Sequence, residues 1–563
     1  MISLFHLRDN AIFLKNWRER MRFASVVSAV IIAVVVIVLI LIEASINDHY
    51  TYRYEKVNGK VDAKNLYQNG IYVVHGQRYR STKIPLPWLN EAIYNIAIFQ
   101  GILLLFFGSL SSYRMAREER LSGTLDFHRS SPTPRSHQVI GLLIGGPVLE
   151  WVVFFGTLLF SGYLFSLASP HLAFFIFLKF YAALIVCAVF FHAFMILLAL
   201  SQNHRRARIG PFLLIFIIYS MMTMIFTLQL STFYHLSWAP AYEEFSAAVK
   251  GDSDWKLRDS YDEDFHDDYY HKNKFQLLYS FFGFRIPSLW LQLLVQLPLI
   301  GFFCRGIMRK ISHPERPMLS KSQWILLTLF VLFLYVGAAF SVVVEGCRGY
   351  YCRSNYQIGE YTTIFLYYIM ALGIMGTLES TPNALLFSKG IRRRKKLGQK
   401  YWDPLEDFSG NSVWLFVFCM VVTVCYLTFM YIMKVSLSVQ TISLMIVLSQ
   451  IIFFAAAFEF FNLSRHRQKK SIFWTGLGIL WIVIPILGSI LRKAGPDAIE
   501  TYFYVHSPFT TPVWLPAYLK GNTSWSFSSS GLLSFALCIN LSLAGFMILL
   551  AHVERARIRK EVL

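Results

Sequence analysis

The amino-acid sequence predicts an all-α polytopic membrane protein with about twelve transmembrane helices, arranged as two parallel six-helix repeats with both termini in the cytoplasm. Three observations predict this architecture: the composition, the spacing of apolar runs and the placement of basic residues. Apolar side chains make up 55% of the 563 residues and charged ones 15%, and the mean hydropathy is +0.47. Soluble domains average about 45–50% apolar and about 25% charged residues. Most of this chain therefore requires lipid as its solvent.

The apolar residues are grouped in runs of membrane-spanning length. A hydrocarbon core of about 30 Å needs about 20 residues of apolar helix, and helices satisfy their own backbone polar groups in lipid. Residues 1–23 are polar and basic, so the first run is expected to remain as a span rather than act as a cleavable leader. The twelve runs lie at residues 24–46, 91–113, 139–161, 172–200, 210–232, 286–304, 324–345, 361–380, 412–433, 439–461, 472–491 and 531–552.

Lysine and arginine are concentrated on alternate connecting segments. One set of segments carries 33 of them in 128 positions, and the opposite set carries 18 in 164. Because these residues favour the cytoplasmic side, the denser set is predicted to be cytoplasmic. The net charge of +20 is thereby explained without nucleic acid. The denser set comprises residues 1–23, 114–138, 201–209, 305–323, 381–411, 462–471 and 553–563.

The chain divides into halves with the same layout. Each half has six runs, so both begin on the same side, and the repeats are parallel rather than inverted. Each half has a long external segment between its fifth and sixth runs and a long cytoplasmic segment between its second and third. The predicted organisation is an interfacial, elbow-like cytoplasmic segment at 1–23, a first half at 24–310, a linker at 311–323 and a second half at 324–563.

Residues 10–22 combine apolar and basic side chains before the first span. Ile12, Phe13 and Trp17 alternate with four cations, a pattern typical of a helix that lies in the membrane interface. A basic flank that only orients the first span is the alternative.

The segment after the second span contains Glu-Arg-Leu-Ser-Gly-Thr-Leu at residues 119–125. Gly123 interrupts the helix that continues span two, and Thr124 can cap a new short helix. The Ser-Pro and Thr-Pro pairs at 131–134 then end this helix before span three. The pattern predicts a short amphipathic helix across the cytoplasmic mouth, where force from a soluble partner would tilt spans two and three.

This motif, followed by Ser-Pro and by Gly141 at the start of the third span, resembles the membrane subunit of ABC-2 type transporters. Residues 10–22 are similar to that family's elbow helix, although Ala11 and Leu142 stand where the family often has proline and lysine. The resemblance implies a permease that forms a translocation path and couples to separate ATP-binding subunits, expected in two copies. An ordinary cytoplasmic linker is the alternative. The residues implied at the coupling surface are Glu118, Glu119, Arg120, Gly123, Thr124, Leu125 and Pro132.

The corresponding segment of the second half lacks the Gly-Thr-Leu signature. It could still form a short amphipathic helix beside the basic run 392–396, which is interpreted as a topology and lipid-headgroup anchor. If this segment also couples to an ATP-binding subunit, its contact with that subunit uses different residues from the contact in the first half, so the two contacts are unequal. Its candidate coupling residues are Pro382, Leu385, Phe387 and Lys389.

The chain itself is not expected to be an enzyme or to bind a cofactor. A P-loop ends in Gly-Lys-Ser/Thr, whereas Gly59-Lys60, the only Gly-Lys pair in the sequence, is followed by Val61. ATP hydrolysis is therefore expected in a separate partner. No metal site is predicted either, because the acidic segment 252–271 lacks the Asp-Gly spacing of a calcium loop. A solvated acidic face is favoured there over a calcium or zinc site.

Charged residues within spans are candidates for buried polar contacts or for lining the path. Glu150 lies deepest, Lys179 is placed to snorkel towards the outer surface, and Glu43 and Glu345 end their spans as interface anchors. Cys347 and Cys352 bracket a short external loop, where a disulfide is plausible in an oxidising compartment.

These expectations converge on a multi-pass permease subunit in the plasma or inner membrane, with export as the direction that the family implies. Lipid, glycan, peptide and drug substrates are all compatible. Two other classes are considered: a secondary transporter, which would require charged relays at the bilayer midplane, and a membrane-embedded glycosyltransferase, which would require paired acidic residues in the first external loop.

Overall fold

A computed structural model describes most of the predicted helices. The predicted spans 210–232 and 472–491 lie outside the described residues, apart from 473 and 475–477. The acidic segment 252–271, Pro132, Cys347 and Cys352 also lie outside them. The described residues are 10–46, 52–56, 71–74, 77–83, 87–130, 133–168, 174–201, 236–250, 278–282, 284–346, 355–398, 409–432, 437–464, 473, 475–477 and 528–562.

The chain forms two compact units. Unit 1 comprises residues 1–279 and 285–312, and unit 2 comprises 280–284 and 313–563. The helices of unit 1 are α1 (Ala11–Arg20), α2 (Phe23–Ile46), α3 (Pro87–Ile102), α4 (Ser109–Leu121), α5 (Thr124–Ser130), α6 (Arg135–Gly145), α7 (Val148–Ala168), α8 (Phe174–Ser201), α9 (Ala239–Lys250) and α10 (Ser288–Ser312). The helices of unit 2 are α11 (Lys321–Gly346), α12 (Asn355–Ser380), α13 (Ala384–Leu397), α14 (Ser412–Ile432), α15 (Leu437–Leu463) and α16 (Ser528–Val562).

Within the described ranges, nine helical stretches are long and apolar enough to cross a membrane, and α12 contributes a shorter apolar stretch at Phe365–Ser380. All ten coincide with predicted runs. The third differs in position: it was predicted at 139–161, but the candidate span is Val148–Leu167. The helix is interrupted between α6 and α7 at Gly146 and Pro147, because proline has no N–H to continue the hydrogen-bond ladder.

The segment between the first two spans adds short strands to a chain that is otherwise mostly helical, in agreement with the predicted all-α membrane protein. It contains strands β1 (Tyr52–Lys56), β2 (Ile71–Val74) and β3 (Gln77–Lys83). They form an antiparallel sheet in the order β1-β3-β2, with Tyr54 opposite Ser81 and Tyr72 opposite Tyr79. Aromatic and β-branched residues favour such strands. Two further short strands, β4 (Leu278–Phe281) and β5 (Phe284–Pro287), precede α10.

The second candidate span is not a uniform α-helix. A π-helical segment at Leu103–Gly108 separates α3 from α4. The His192 ring of α8 contacts the Leu104 carbonyl oxygen at 3.0 Å, and a side-chain carbon added at Gly108 would lie 2.6 Å from this ring. The fully buried imidazole therefore occupies space that only a glycine at position 108 leaves open.

Unit 2 is organised around close helix contacts and aromatic packing. α15 packs against α16 and α12, while α11 packs against α12 and α14. Phe365 of α12 stacks on Phe429 of α14 with ring centroids 5.0 Å apart. Near the other end of α12, Gly376 lies against the fully buried Trp414 of α14. Small residues allow helices to approach this closely in membranes.

Replacing Gly376 with alanine is expected to destabilise unit 2. The added carbon would lie 2.7 Å from the Trp414 indole, and overpacking of this kind costs about 1–3 kcal/mol. Gly545→Ala in α16 is the matched control, because nothing lies within 4 Å of the added carbon there. Thermal unfolding in detergent should show a lower transition temperature for Gly376→Ala only. Equal transition temperatures for both variants would contradict the packing described.

Candidate functional site

The short helix α5 begins after a tight turn at the end of α4. Gly123 has φ +78°, a left-handed conformation that glycine adopts without steric cost. The Ser122 amide donates to the Glu118 carbonyl at 2.9 Å, and the Asp126 amide donates to the Gly123 carbonyl at 2.9 Å. The predicted helix is thus present, but Thr124 is its first residue rather than its cap.

The side chains of α5 separate into a buried and an exposed set. Leu125 is only 2% exposed, whereas Phe127 is 68% exposed. Leu121, just before the turn, is also exposed. The segment from Leu121 to Phe127 therefore buries Leu125 and leaves two apolar side chains exposed.

Two arginines connect this region to the ends of other helices. Arg129 of α5 donates to the Ile311 carbonyl at 2.5 Å, next to the last residue of α10. Arg120 of α4 donates to the Leu200 carbonyl at 2.5 Å, next to the last residue of α8. The final carbonyls of a helix have no partner within it, and cations are favourable there. The two guanidinium groups therefore link α5 and the end of α4 to α10 and α8.

The electrostatic environment of Arg129 is crowded with like charge. Burial, together with the neighbouring Arg120 and Arg135, lowers the pKa of the Arg129 guanidinium, although an arginine side chain remains protonated in proteins. Asp126 forms an ion pair with it. The Arg135 side chain donates to the Arg129 carbonyl at 2.9 Å, which joins the end of α5 to the beginning of α6.

Helix α1 packs on the neighbouring face of α6. The Asn10 side chain accepts from the Ile12 and Phe13 amides, both at 3.1 Å, and donates to the His137 carbonyl. A side-chain carbon at Gly141 would lie 2.5 Å from the Asn10 side-chain oxygen. Asn10 therefore both caps α1 and attaches it to α6.

An ion pair links α1 to α4. Lys15 Nζ lies 2.7 Å from a carboxylate oxygen of the buried Glu119. A buried carboxylate requires such a partner, because an unpaired one is costly. Together with the Asn10 contacts, this pair fixes α1 against the helices on both sides of α5.

The residues predicted for coupling include both exposed side chains and side chains that hold neighbouring helices. Glu118 is exposed, Glu119 is paired with Lys15, and Arg120 holds the end of α8. Phe127 and Arg129, which were not among the predicted coupling residues, supply the exposed aromatic group and the link to α10. The i, i+2 spacing of Leu125 and Phe127, which lie on different sides of a helix, was the available signal for Phe127.

In unit 2, α13 occupies the corresponding place in the chain. Asn383 caps it by accepting from the Leu386 amide at 2.8 Å, and Gly398, with φ +62°, ends it. Of the second set of candidate coupling residues, Pro382 and Phe387 are buried and Leu385 and Lys389 are exposed.

Two of the four charged residues predicted within spans have polar partners that the structure describes. Ser111 donates to Glu150, and Lys179 forms a buried ion pair with Glu244 of α9. Ser288 also donates to Glu244. Lys179 is 8% exposed, which fits the buried polar contact considered for it better than snorkelling, and α9 supplies the partner that the sequence did not reveal. Glu43 is exposed near the end of α2, and Glu345 lies in the last turn of α11.

A second polar group lies within the helices of unit 1. Gln100 of α3 donates to Thr157 at 3.0 Å and to Ser161 at 3.2 Å, and its oxygen accepts from the Tyr181 hydroxyl at 2.5 Å. In the described part of the chain, no group of three or more His, Cys, Asp and Glu side chains is arranged to hold a metal ion.

Comparison with known families identifies the chain. A family model described as ABC-2 family transporter protein matches residues 10–303, just over half of the sequence. The chain belongs to the ABC-2 transporter family. As an ABC-2 protein with several membrane-spanning helices, it is a multi-pass component of a membrane transporter. No curated protein and no solved structure matches it significantly.

Removing the guanidinium of Arg129 should loosen the last turn of α10. In Arg129→Gln the Ile311 carbonyl loses its cationic partner, a contact worth about 1 kcal/mol at a helix C-terminus. Backbone amides of that turn should then exchange about fivefold faster in hydrogen–deuterium exchange. Arg114→Gln, an exposed arginine of α4, should leave this exchange unchanged. Unaltered exchange at the end of α10 in Arg129→Gln would contradict the link.

Proposed function

We propose that this ABC-2 permease receives force from separate ATP-binding subunits through α5. The observation that supports the proposal best is the contrast within this helix: Phe127 is exposed, while Leu125 is buried and Arg129 holds the end of α10. A partner contacting Phe127 would press on an element attached to the neighbouring helices. A free loop in this position would absorb such a push.

The proposed mechanism is rigid-body movement of helices. Closure of the ATP-binding subunits would displace α5, and the Arg129 and Arg120 contacts would transfer this displacement to α10 and α8. Interfaces between packed helices switch between discrete arrangements rather than deforming continuously. The path through unit 1 would therefore open to one side of the membrane at a time.

The energy source is assigned to the partner. The sequence contains no Gly-Lys-Ser/Thr motif with which a P-loop would hold phosphate. We assign ATP hydrolysis to two ATP-binding subunits, one contacting α5 and the other contacting unit 2 with different chemistry. Export across the plasma or inner membrane is the direction proposed, in keeping with the family resemblance.

The proposal predicts that Phe127→Ala impairs docking without unfolding the protein. Truncating an exposed aromatic anchor at an interface costs about 2 kcal/mol, or about thirtyfold in affinity. Purification of the full chain from membranes should yield an ATP-binding-cassette subunit, identified by mass spectrometry, together with ATP hydrolysis by the complex. Both should be strongly reduced in Phe127→Ala.

Phe155→Ala provides the matched control, since Phe155 is also exposed but lies in the apolar stretch of α7. This variant should retain the ATP-binding subunit. Equal recovery of that subunit with wild type and Phe127→Ala would exclude α5 as the docking element. Transport that continues without ATP would favour a secondary transporter instead.

A further inference from the structure

The exposed face of α13 forms a shallow, open basic groove between side chains of this one helix. Lys389, Arg392, Arg393, Lys396 and Leu397 line it, and we call it the α13 groove; its volume is about 420 Å³. The four cations follow the i, i+3, i+4, i+7 spacing that places side chains on one helix face. No acidic residue is among the lining residues.

The opposite face of α13 fixes the orientation of the groove. Phe387 and Ile391 are buried in a cluster with Leu463 of α15 and Ile558 of α16. Arg394 is buried as well, although it belongs to the same basic run. Rotation of α13 about its axis would expose this cluster to solvent. The basic face is therefore held outward by packing and does not result from free side-chain motion.

The groove brings four positive charges together, and only one of them has an acidic partner within the described ranges. Lys389 Nζ lies 2.6 Å from Glu315. Among the residues that the structure describes, no acidic side chain lies within ion-pair distance of Arg392, Arg393 or Lys396. Cations four residues apart on a helix repel one another, so an anion bound between them would remove an unfavourable interaction.

The surroundings of the groove match a lipid better than a soluble anion. α13 begins four residues after the apolar helix α12 ends and is followed by the candidate span α14. Leu397 lines the groove beside the cations and is 57% exposed, and Leu385 in the first turn is 59% exposed. Lysine and arginine residues close to a membrane-spanning helix are attracted to anionic lipid headgroups, and the two exposed leucines offer an apolar contact that a soluble anion would not use.

We infer that the α13 groove binds an anionic phospholipid. The two guanidinium groups and Lys396 would contact the phosphodiester, since arginine pairs well with phosphate oxygens, and Leu397 would contact the apolar part of the lipid. This site is separate from the docking role proposed for α5. It also divides the basic run 392–396, because Arg392, Arg393 and Lys396 would contribute to the site whereas the buried Arg394 would not.

The proposal can be tested with the delipidated full-length protein in a neutral detergent. Short-chain phosphatidylglycerol, phosphatidylcholine and inorganic phosphate are titrated separately, and binding is measured by the shift in thermal unfolding. Phosphatidylglycerol should stabilise the protein, and the other two should not. Lys396→Gln should weaken phosphatidylglycerol binding about fivefold, the effect expected from one charge at an anionic lipid surface.

Lys395→Gln is the matched control, because it removes the same charge from an exposed neighbour that does not line the groove. It should change binding less than twofold. Equal weakening by both variants would show non-specific attraction and overturn the proposal. Equal stabilisation by inorganic phosphate would also overturn it, by indicating a soluble anion. So would unchanged lipid binding combined with loss of a co-purified ATP-binding subunit in Lys396→Gln, since the groove would then dock a protein.

Discussion

Both units depend on one constraint, which is that polar groups at the ends of apolar helices need partners that neither lipid nor the helix supplies. In unit 1, Arg120 and Arg129 supply them by donating to the last carbonyls of α8 and α10. In unit 2, the fully buried Lys321 donates to the Ser409 carbonyl at 2.6 Å and the Gly410 carbonyl at 3.0 Å. Each of these cations joins a connecting segment to the helices beside it.

The same constraint explains the polar contacts at the start of α14 in unit 2. The Asn411 amide donates to Glu459 of α15 at 3.3 Å, and the Asn411 side chain donates to Thr381. Arg555 of α16 lies 3.5 Å from the Glu459 carboxylate. Removing one member of a buried charged network leaves the others unpaired, which costs more than the network contributes. The start of α14 is thus held by Lys321 of α11, Ser380 of α12 and Glu459 of α15, much as α5 is held in unit 1.

The sequence predicted features that depend on composition and short spacing. Apolar runs gave ten spans that coincide with described helices, and Gly123 with its flanking motif gave α5. The sequence did not predict contacts between residues that are far apart along the chain. Lys179 looked free to reach water because Glu244 is 65 residues away in a separate helix. The contact of Arg129 with the end of α10 and the exposure of Phe127 could not be predicted either, since the direction of a side chain on a seven-residue helix is set by what packs beneath it. The strands β1–β3 were not predicted because each is only 4 to 7 residues long and is too polar or too short to form an apolar run of span length.

The π-helical segment at Leu103–Gly108 has a consequence for everything that follows it in the chain. A π-bulge inserts one extra residue into an α-helix, and one residue corresponds to an azimuth of about 100°. The side chains of α4 are therefore rotated about the helix axis by this angle, compared with a continuous α-helix. The direction in which α5 leaves the end of α4 is rotated with them. The His192 ring lies against this segment, 3.0 Å from the Leu104 carbonyl oxygen, so a side chain larger than glycine at position 108 would disturb the part of the span where the offset arises.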